Sequence, residues 1–357
     1  MRKIALSTAI FEGSNLPHLN KANTPCVEVS SHKPGALNDI LAKIESEGIE
    51  TVGVHGPAPN ITGNHPNTGC EEKQLDETYA IIKGSFETAA KCHAKLVTIH
   101  SFYDLKQDAL LPKEDEEKFA FLRRLQSQFK TMEDYLRSDQ YRRAKDNAVK
   151  NLREIIRRLD QEFPADMALC LENLNPRVTY GLQKPSEFIE MYAAVGSPRL
   201  KMDMDLPHAH LSSGVYGFDL LEEVRKVSQH IGVLSLSQNH GGKYCIDRRF
   251  GETAPRKGLQ DVDPHFPMHG GVKIVREFER GELTGENLAF LDTLRAAVMF
   301  DEKGELPVGT VPAMEYIRLL PEEVPVVLEY DNRYAPIDFL LKSFKRFEGE
   351  ANHLSPK

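Results

Sequence analysis

Residues 167–174 read MALCLENL, and residues 199–205 read RLKMDMD. In both, apolar residues run almost unbroken and then give way to polar ones: Glu172 and Asn173 in the first, Asp203 and Asp205 in the second. A short, near-continuous apolar run suits a strand buried on both faces, as in a parallel sheet; a half-buried strand would alternate instead.

The same form recurs on either side. KIALSTAI (3–10), CVEVSS (26–31), TVGVHG (51–56) and KLVTIHSF (95–102) precede these runs, and IGVLSLS (231–237) and VPVVLEYD (324–331) follow them. Between the eight candidate strands lie amphipathic segments such as ALNDILAKIESEG (36–48), DETYAIIKGSFETAAKCH (76–93) and FDLLEEVRKVSQHIG (218–232). Eight strands alternating with helices predict an α/β fold of the (β/α)8 barrel type. An open doubly wound sheet is the alternative. Its nucleotide-binding versions lose support, because no GxGxxG follows the first strand and no GxxxxGK[ST] occurs. Residues 103–165 and 238–323 are longer than a barrel needs and read as insertions after strands four and seven, one domain spanning 1–357.

Composition narrows the function classes. The 357 residues are 40% apolar and 27% charged, with a formal net charge of −8. That balance argues against binding driven by nucleic-acid phosphates, so DNA is not the favoured partner; a small-molecule or phosphoester substrate is expected. Basic residues gather at 120–158, but acids are interleaved with them, and the stretch reads as a solvated helical hairpin. Cys26, Cys70, Cys92, Cys170 and Cys245 form no CxxC pair, which fits a reducing compartment, and Cys26 and Cys170 read as small core residues. The start carries no secretory signal pattern, and no apolar run reaches the ~20 residues of a membrane span. A soluble, cytoplasmic protein is expected.

The chemistry sits at the strand ends. Strand three ends at His55, strand four at His100, strand five at Glu172, strand six at Asp205 with His208 just beyond, and strand eight at Glu329. The loop after strand seven carries His240, Asp263 and His265. In a barrel all these ends converge on one mouth. Histidines and carboxylates buried singly are costly; clustered, they suit a cation. Each has a plainer reading: His55 and His100 as core histidines, Glu172 and Glu329 as structural carboxylates, Asp205 as a helix cap. Asp203 is read as facing away from Asp205 and is given no metal role. His210 and His269 read as structural or substrate-facing, and His18, His32, His65, His93, His230 and His353 as surface or loop residues.

The ordered motifs VHGP (54–57), TIHSF (98–102), LENL (171–174), DLPHAHLSSG (205–214), DPHFP (263–267) and LEYD (328–331) together resemble the xylose isomerase-like barrel superfamily. Within it the pattern is most similar to endonuclease IV, a metal-dependent apurinic/apyrimidinic endonuclease. That resemblance implies three zinc sites: His55, His100 and a bridging Glu172; Glu172, Asp205 and Glu329; His208, Asp263 and His265. The chain departs from the pattern at strand seven, where Ser235 stands in place of a ligating histidine and His240, five residues on, is a poor substitute. The sugar isomerases and epimerases of the superfamily would use a single metal on Glu172, Asp205 and Glu329, and they too would lack the strand-seven histidine. The resemblance implies an enzyme dependent on divalent metal, zinc or manganese, with Glu172 and Glu329 as catalytic groups. Phosphoester hydrolysis is the expected reaction; sugar isomerisation or epimerisation is the first alternative and a degenerate, non-catalytic barrel the second.

Overall fold

The computed structural model describes residues 2–11, 15–30, 36–58, 65–103, 128–176, 179–239, 246–247, 252–253, 265, 268, 311–330 and 337–353. Eight strands close a barrel: β1 (Ile4–Ser7), β2 (Cys26–Val29), β3 (Glu50–His55), β4 (Leu96–His100), β5 (Ala168–Glu172), β6 (Leu200–Asp205), β7 (Ile231–Leu236) and β8 (Val326–Leu328). Each pairs in parallel with its neighbours in sequence, and β8 closes on β1 through Ile4 opposite Val326. Seven lie within the predicted runs, and β3 starts one residue before its own, at Glu50. A short antiparallel pair, Ile246–Asp247 with Glu252–Thr253, follows β7. The second expected insertion, 238–323, otherwise falls largely outside the described residues, whereas 128–165 of the first are described.

The strands are apolar on both faces because both are buried. Outward, Leu6, Val29, Leu169, Leu171, Met202, Leu234 and Leu236 join one core with helix residues such as Phe86, Leu152, Phe188 and Phe344. Inward, at the N-terminal end of the barrel, Ala5, Cys26, Val52, Cys170, Val233 and Val327 form a separate small cluster with Leu96 against it. These side chains are small enough to fill the narrow interior. Residues two further along each strand share the same face, and there the interior turns polar: Ser7, Glu28, Thr98, Glu172 and Ser235, all buried.

Of the charged stretch expected to be a solvated hairpin, residues 128–158 are described; they hold a short helix, Met132–Leu136, and most of the 24-residue helix Asp139–Glu162, capped by Ser138. Tyr141, Ala144, Ala148, Leu152, Ile155, Ile156 and Leu159 line its buried face. Its arginines and acids pair on the outer face, as in Arg157 and Arg158 with Glu154. The apolar residues recur at three- and four-residue spacing, a signal the charge density obscured. Among the described residues no helix is long and apolar enough to cross a membrane.

Candidate metal centre

Glu172, at the end of β5, is 2% exposed and is the point on which three histidines converge. His55, ending β3, puts Nε2 3.0 Å from Glu172 Oε2 and Nδ1 3.3 Å from Glu329 Oε1. His100, ending β4 and opposite Glu172 in register, puts Nε2 3.4 Å from the same Oε2. His208 arrives by a different route. Asp205 ends β6 and caps the helix Leu206–Tyr216, its Oδ1 accepting a hydrogen bond from the His208 backbone N–H at 2.6 Å. This cap turns the His208 side chain back over the strand ends, where Nδ1 lies 3.2 Å from Glu172 Oε1 and 2.8 Å from the Asn173 carbonyl oxygen. Asp205 thus acts as the cap of the plainer reading and also stands among the clustered carboxylates.

On the far side His265 Nδ1 lies 3.9 Å from Glu329 Oε2 and 3.2 Å from the Ser237 hydroxyl. Glu329 therefore faces His55 with one oxygen and His265 with the other. His55, His100, Glu172, Asp205, His208, His265 and Glu329 all lie in one mouth. Asp263 and His240 fall outside the described residues, as do His32 and His269.

Buried charges of both signs act on one another across the mouth. Burial pushes the Glu172 carboxyl up, but the surrounding histidines outweigh it and hold it well below the usual carboxylate range. Burial pulls His55 down, yet its contacts with Glu172 and Glu329 prevail and raise it well above the usual imidazole value. Burial drives His100 down to about 4. His100 is therefore neutral at neutral pH, the form in which imidazole binds metals, whereas His55 favours its charged form.

The donor set fits a metal. Buried His55 Nε2, Glu172 Oε2 and Glu329 Oε1 make no hydrogen bond of proper geometry, although their neighbours are close. Four groups bring ligating atoms within 4.8 Å of one another: His55, His100 and Glu172; Glu172, Asp205 and His208; Asp205, His265 and Glu329; and Glu28, His55 and Glu329.

Several expectations need correction. Asp203 does not face away from Asp205. Residues two apart on a strand share a face, and Asp203 points into the barrel, accepting hydrogen bonds from the Thr98 and Ser235 hydroxyls at 2.9 Å each. Burial and then the charges of Glu172 and Glu329 push its carboxyl up to about 7. Ser235 is occupied with Asp203, below the mouth, so strand seven sends no imidazole there. His265, in the following loop, groups with Asp205 and Glu329 and also packs edge-on against His208, ring centres 6.0 Å apart; Asp263, the third residue of the set the resemblance implied, lies outside the described residues. His65, read as an ordinary loop residue, stacks on His100 with ring centres 4.1 Å apart and planes 8° from parallel. The Tyr103 hydroxyl hydrogen-bonds His100 Nδ1. Neither partner carried a sequence signal, since both lie beyond strand ends. Glu28 did carry one: a lone carboxylate inside the apolar run CVEVSS.

A closed parallel barrel with histidines and carboxylates gathered at the C-terminal mouth defines a (β/α)8 barrel with candidate metal-ligand sets. The chain belongs to the xylose isomerase-like TIM barrel family, whose profile matches residues 19–280. Among solved structures it is similar to the probable 3-DHS dehydratase AsbF of Bacillus anthracis, involved in petrobactin synthesis, with a TM-score of 0.54 and 13% identity over 97% of this chain and 98% of that one. A D-tagatose 3-epimerase-like protein gives a TM-score of 0.52 and 15% identity over 98% of each chain. An AP endonuclease of family 2 from Brucella melitensis gives 0.46 and 13% over 66% of this chain and 80% of that one. Likeness at these identities is a likeness of fold, and it does not single out the endonuclease branch. No curated protein sequence matches.

Proposed function

We propose that this chain is a divalent-metal-dependent enzyme that uses more than one ion at the barrel mouth to hydrolyse a phosphoester. One observation carries the reading: two of the ligand groups share no residue. His55, His100 and Glu172 form one, and Asp205, His265 and Glu329 the other, so both can be filled together. Mixed imidazole and carboxylate donors suit zinc or manganese. When bound, such ions supply Lewis acidity toward phosphoryl oxygens and make water a better nucleophile near neutral pH.

The chain's own residues would divide the work. Glu172 turns Oε2 to His55 and His100 and Oε1 to His208, so its carboxylate can be shared between neighbouring sites. Glu329 is the more accessible of the two catalytic candidates, with 15% of its side chain exposed against 3% for Glu172. It is the group placed to exchange a proton with substrate. The net charge of −8 favours a small phosphoester over an extended DNA backbone. The four described cysteines carry free thiols, which is compatible with the expected cytoplasmic location.

A sugar isomerase or epimerase has its own support, because Glu172 and Asp205 end strands five and six and Glu329 directly follows strand eight, as a single-metal site requires. That reading leaves His55 and His100 to substrate. The test is to strip the protein with chelator, reload it with zinc or manganese, and assay phosphate-ester panels alongside ketose and aldose panels. Metal-dependent release of phosphate or alcohol supports hydrolysis; sugar epimerisation with no ester cleavage overturns it.

A further inference from the structure

Glu28, on β2, is fully buried, and neither of its carboxylate oxygens has a hydrogen-bond partner. A carboxylate buried in that state is costly unless something positive meets it. His55 supplies positive charge nearby, but among the described residues no group hydrogen-bonds Glu28. Gly53, opposite in register, has no side chain, and a Cβ there would stand 3.8 Å from Glu28 Oε1. Asp203, in the same polar layer, is itself an acid and is engaged by Thr98 and Ser235. Glu28 faces His55 and Glu329, and the ligating atoms of these three residues lie within 4.8 Å of one another.

We propose that Glu28, His55 and Glu329 hold a divalent cation of their own, beneath the mouth ions. His55 Nδ1 and Glu329 Oε1 are 3.3 Å apart. Two ligands on a tetrahedral ion with bonds of about 2.05 Å stand roughly 3.3 Å apart. Glu329 Oε1 is another buried atom without a hydrogen-bond partner.

The inner site need not compete with the mouth, because both shared residues present a second atom there. His55 turns Nε2 to Glu172, and Glu329 turns Oε2 to His265. With ions on both sides His55 would offer both ring nitrogens as ligands, and both ring protons of the charged imidazole would be released to solvent. Charge points the same way: Glu329 and Glu172 act on Glu28 as like charges. The inner ion would fix His55 and Glu329 from below. The proposal goes beyond the two-ion mouth and does not depend on it.

The test uses zinc alone as probe. Chelator-stripped wild type, Glu28→Gln and His100→Ala are dialysed against zinc, bound zinc per chain is counted, and the melting temperature of each stripped protein is measured. Glu28→Gln is expected to bind one zinc fewer than wild type. Stripped, it should melt no lower than wild type, because a buried carboxyl without a hydrogen-bond partner has been replaced by a neutral group of the same size. A wild-type zinc count in Glu28→Gln overturns the proposal, as does a stripped Glu28→Gln that fails to fold or melts well below wild type. His100 belongs to the mouth group and not to the inner one. Loss of zinc in His100→Ala with none in Glu28→Gln rejects the inner site and keeps the mouth. The reverse pattern keeps the inner site and rejects the His100 mouth site, and a wild type that binds no zinc rejects both.

Discussion

At Glu172 burial and coordination oppose one another. The carboxylate is enclosed, yet three histidines approach its two oxygens at 3.0 to 3.4 Å. Glu172→Gln keeps the size and removes the charge. It should lose metal and activity while its far-ultraviolet circular dichroism stays unchanged; full metal content with full turnover would remove Glu172 from the site. Asp203 makes a prediction about pH. Its carboxyl is raised from the usual 3.8 to about 7, so the folded state holds its proton more tightly than the unfolded chain does. The resulting stability is fully present below about pH 3.8 and is lost as pH rises through about 7. Asn does not titrate, so stripped Asp203→Asn should gain in melting temperature relative to stripped wild type as pH goes from 4 to 8. A difference that stays flat across that range would mean Asp203 is not held protonated. Asp203 also shows where reading the sequence failed: its chemistry was visible, but strand alternation was misapplied. His65 and Tyr103 could not be read at all, because contacts with His100 depend on loops whose paths the sequence pattern does not determine.

The join between β6 and the helix Leu206–Tyr216 carries two roles in one side chain. Asp205 caps the helix and also belongs to two ligand groups. Asn caps about as well as Asp, whereas Ala costs about 0.5–2 kcal/mol. Stripped Asp205→Asn should therefore unfold in urea near wild type and Asp205→Ala should be destabilised by that amount, while both lose zinc affinity. Equal stability for the two would deny the cap. At the end of β3, Gly56 shows how tightly helix and strand meet. A Cβ there would lie 2.7 Å from Ser85 Oγ, which accepts the Ala58 N–H at 3.0 Å and secures the turn after His55. Gly56→Ala should cost about 1–3 kcal/mol by overpacking, measurable by urea unfolding; a neutral effect would mean that Ser85 can move aside. Strands were the most legible elements, because burial on both faces leaves an unbroken apolar signature. The helix Asp139–Glu162 was less so, since its many charges hid the apolar stripe.

Over the whole molecule, eight strand ends converge because the barrel closes, and closure is what turns scattered His and carboxylate residues into one site. The fold and most of the clustered residues were legible for that reason: a strand's C-terminal residue marks the mouth wherever the strand sits in the sequence. His265 was legible as a ligand type, and His208, one of its expected neighbours, stands beside it; its grouping with Asp205 and Glu329 was not legible. The site also couples to stability. Ions that bind only the folded barrel should raise its melting temperature with zinc concentration, by about 2.7 kcal/mol equivalent at a hundredfold excess over Kd. The most direct test of a mouth that holds several ions is elemental analysis of the stripped and zinc-reloaded wild-type chain, with bound zinc counted against protein concentration. At least two zinc ions per chain are expected; a count of one or none after saturation would contradict it.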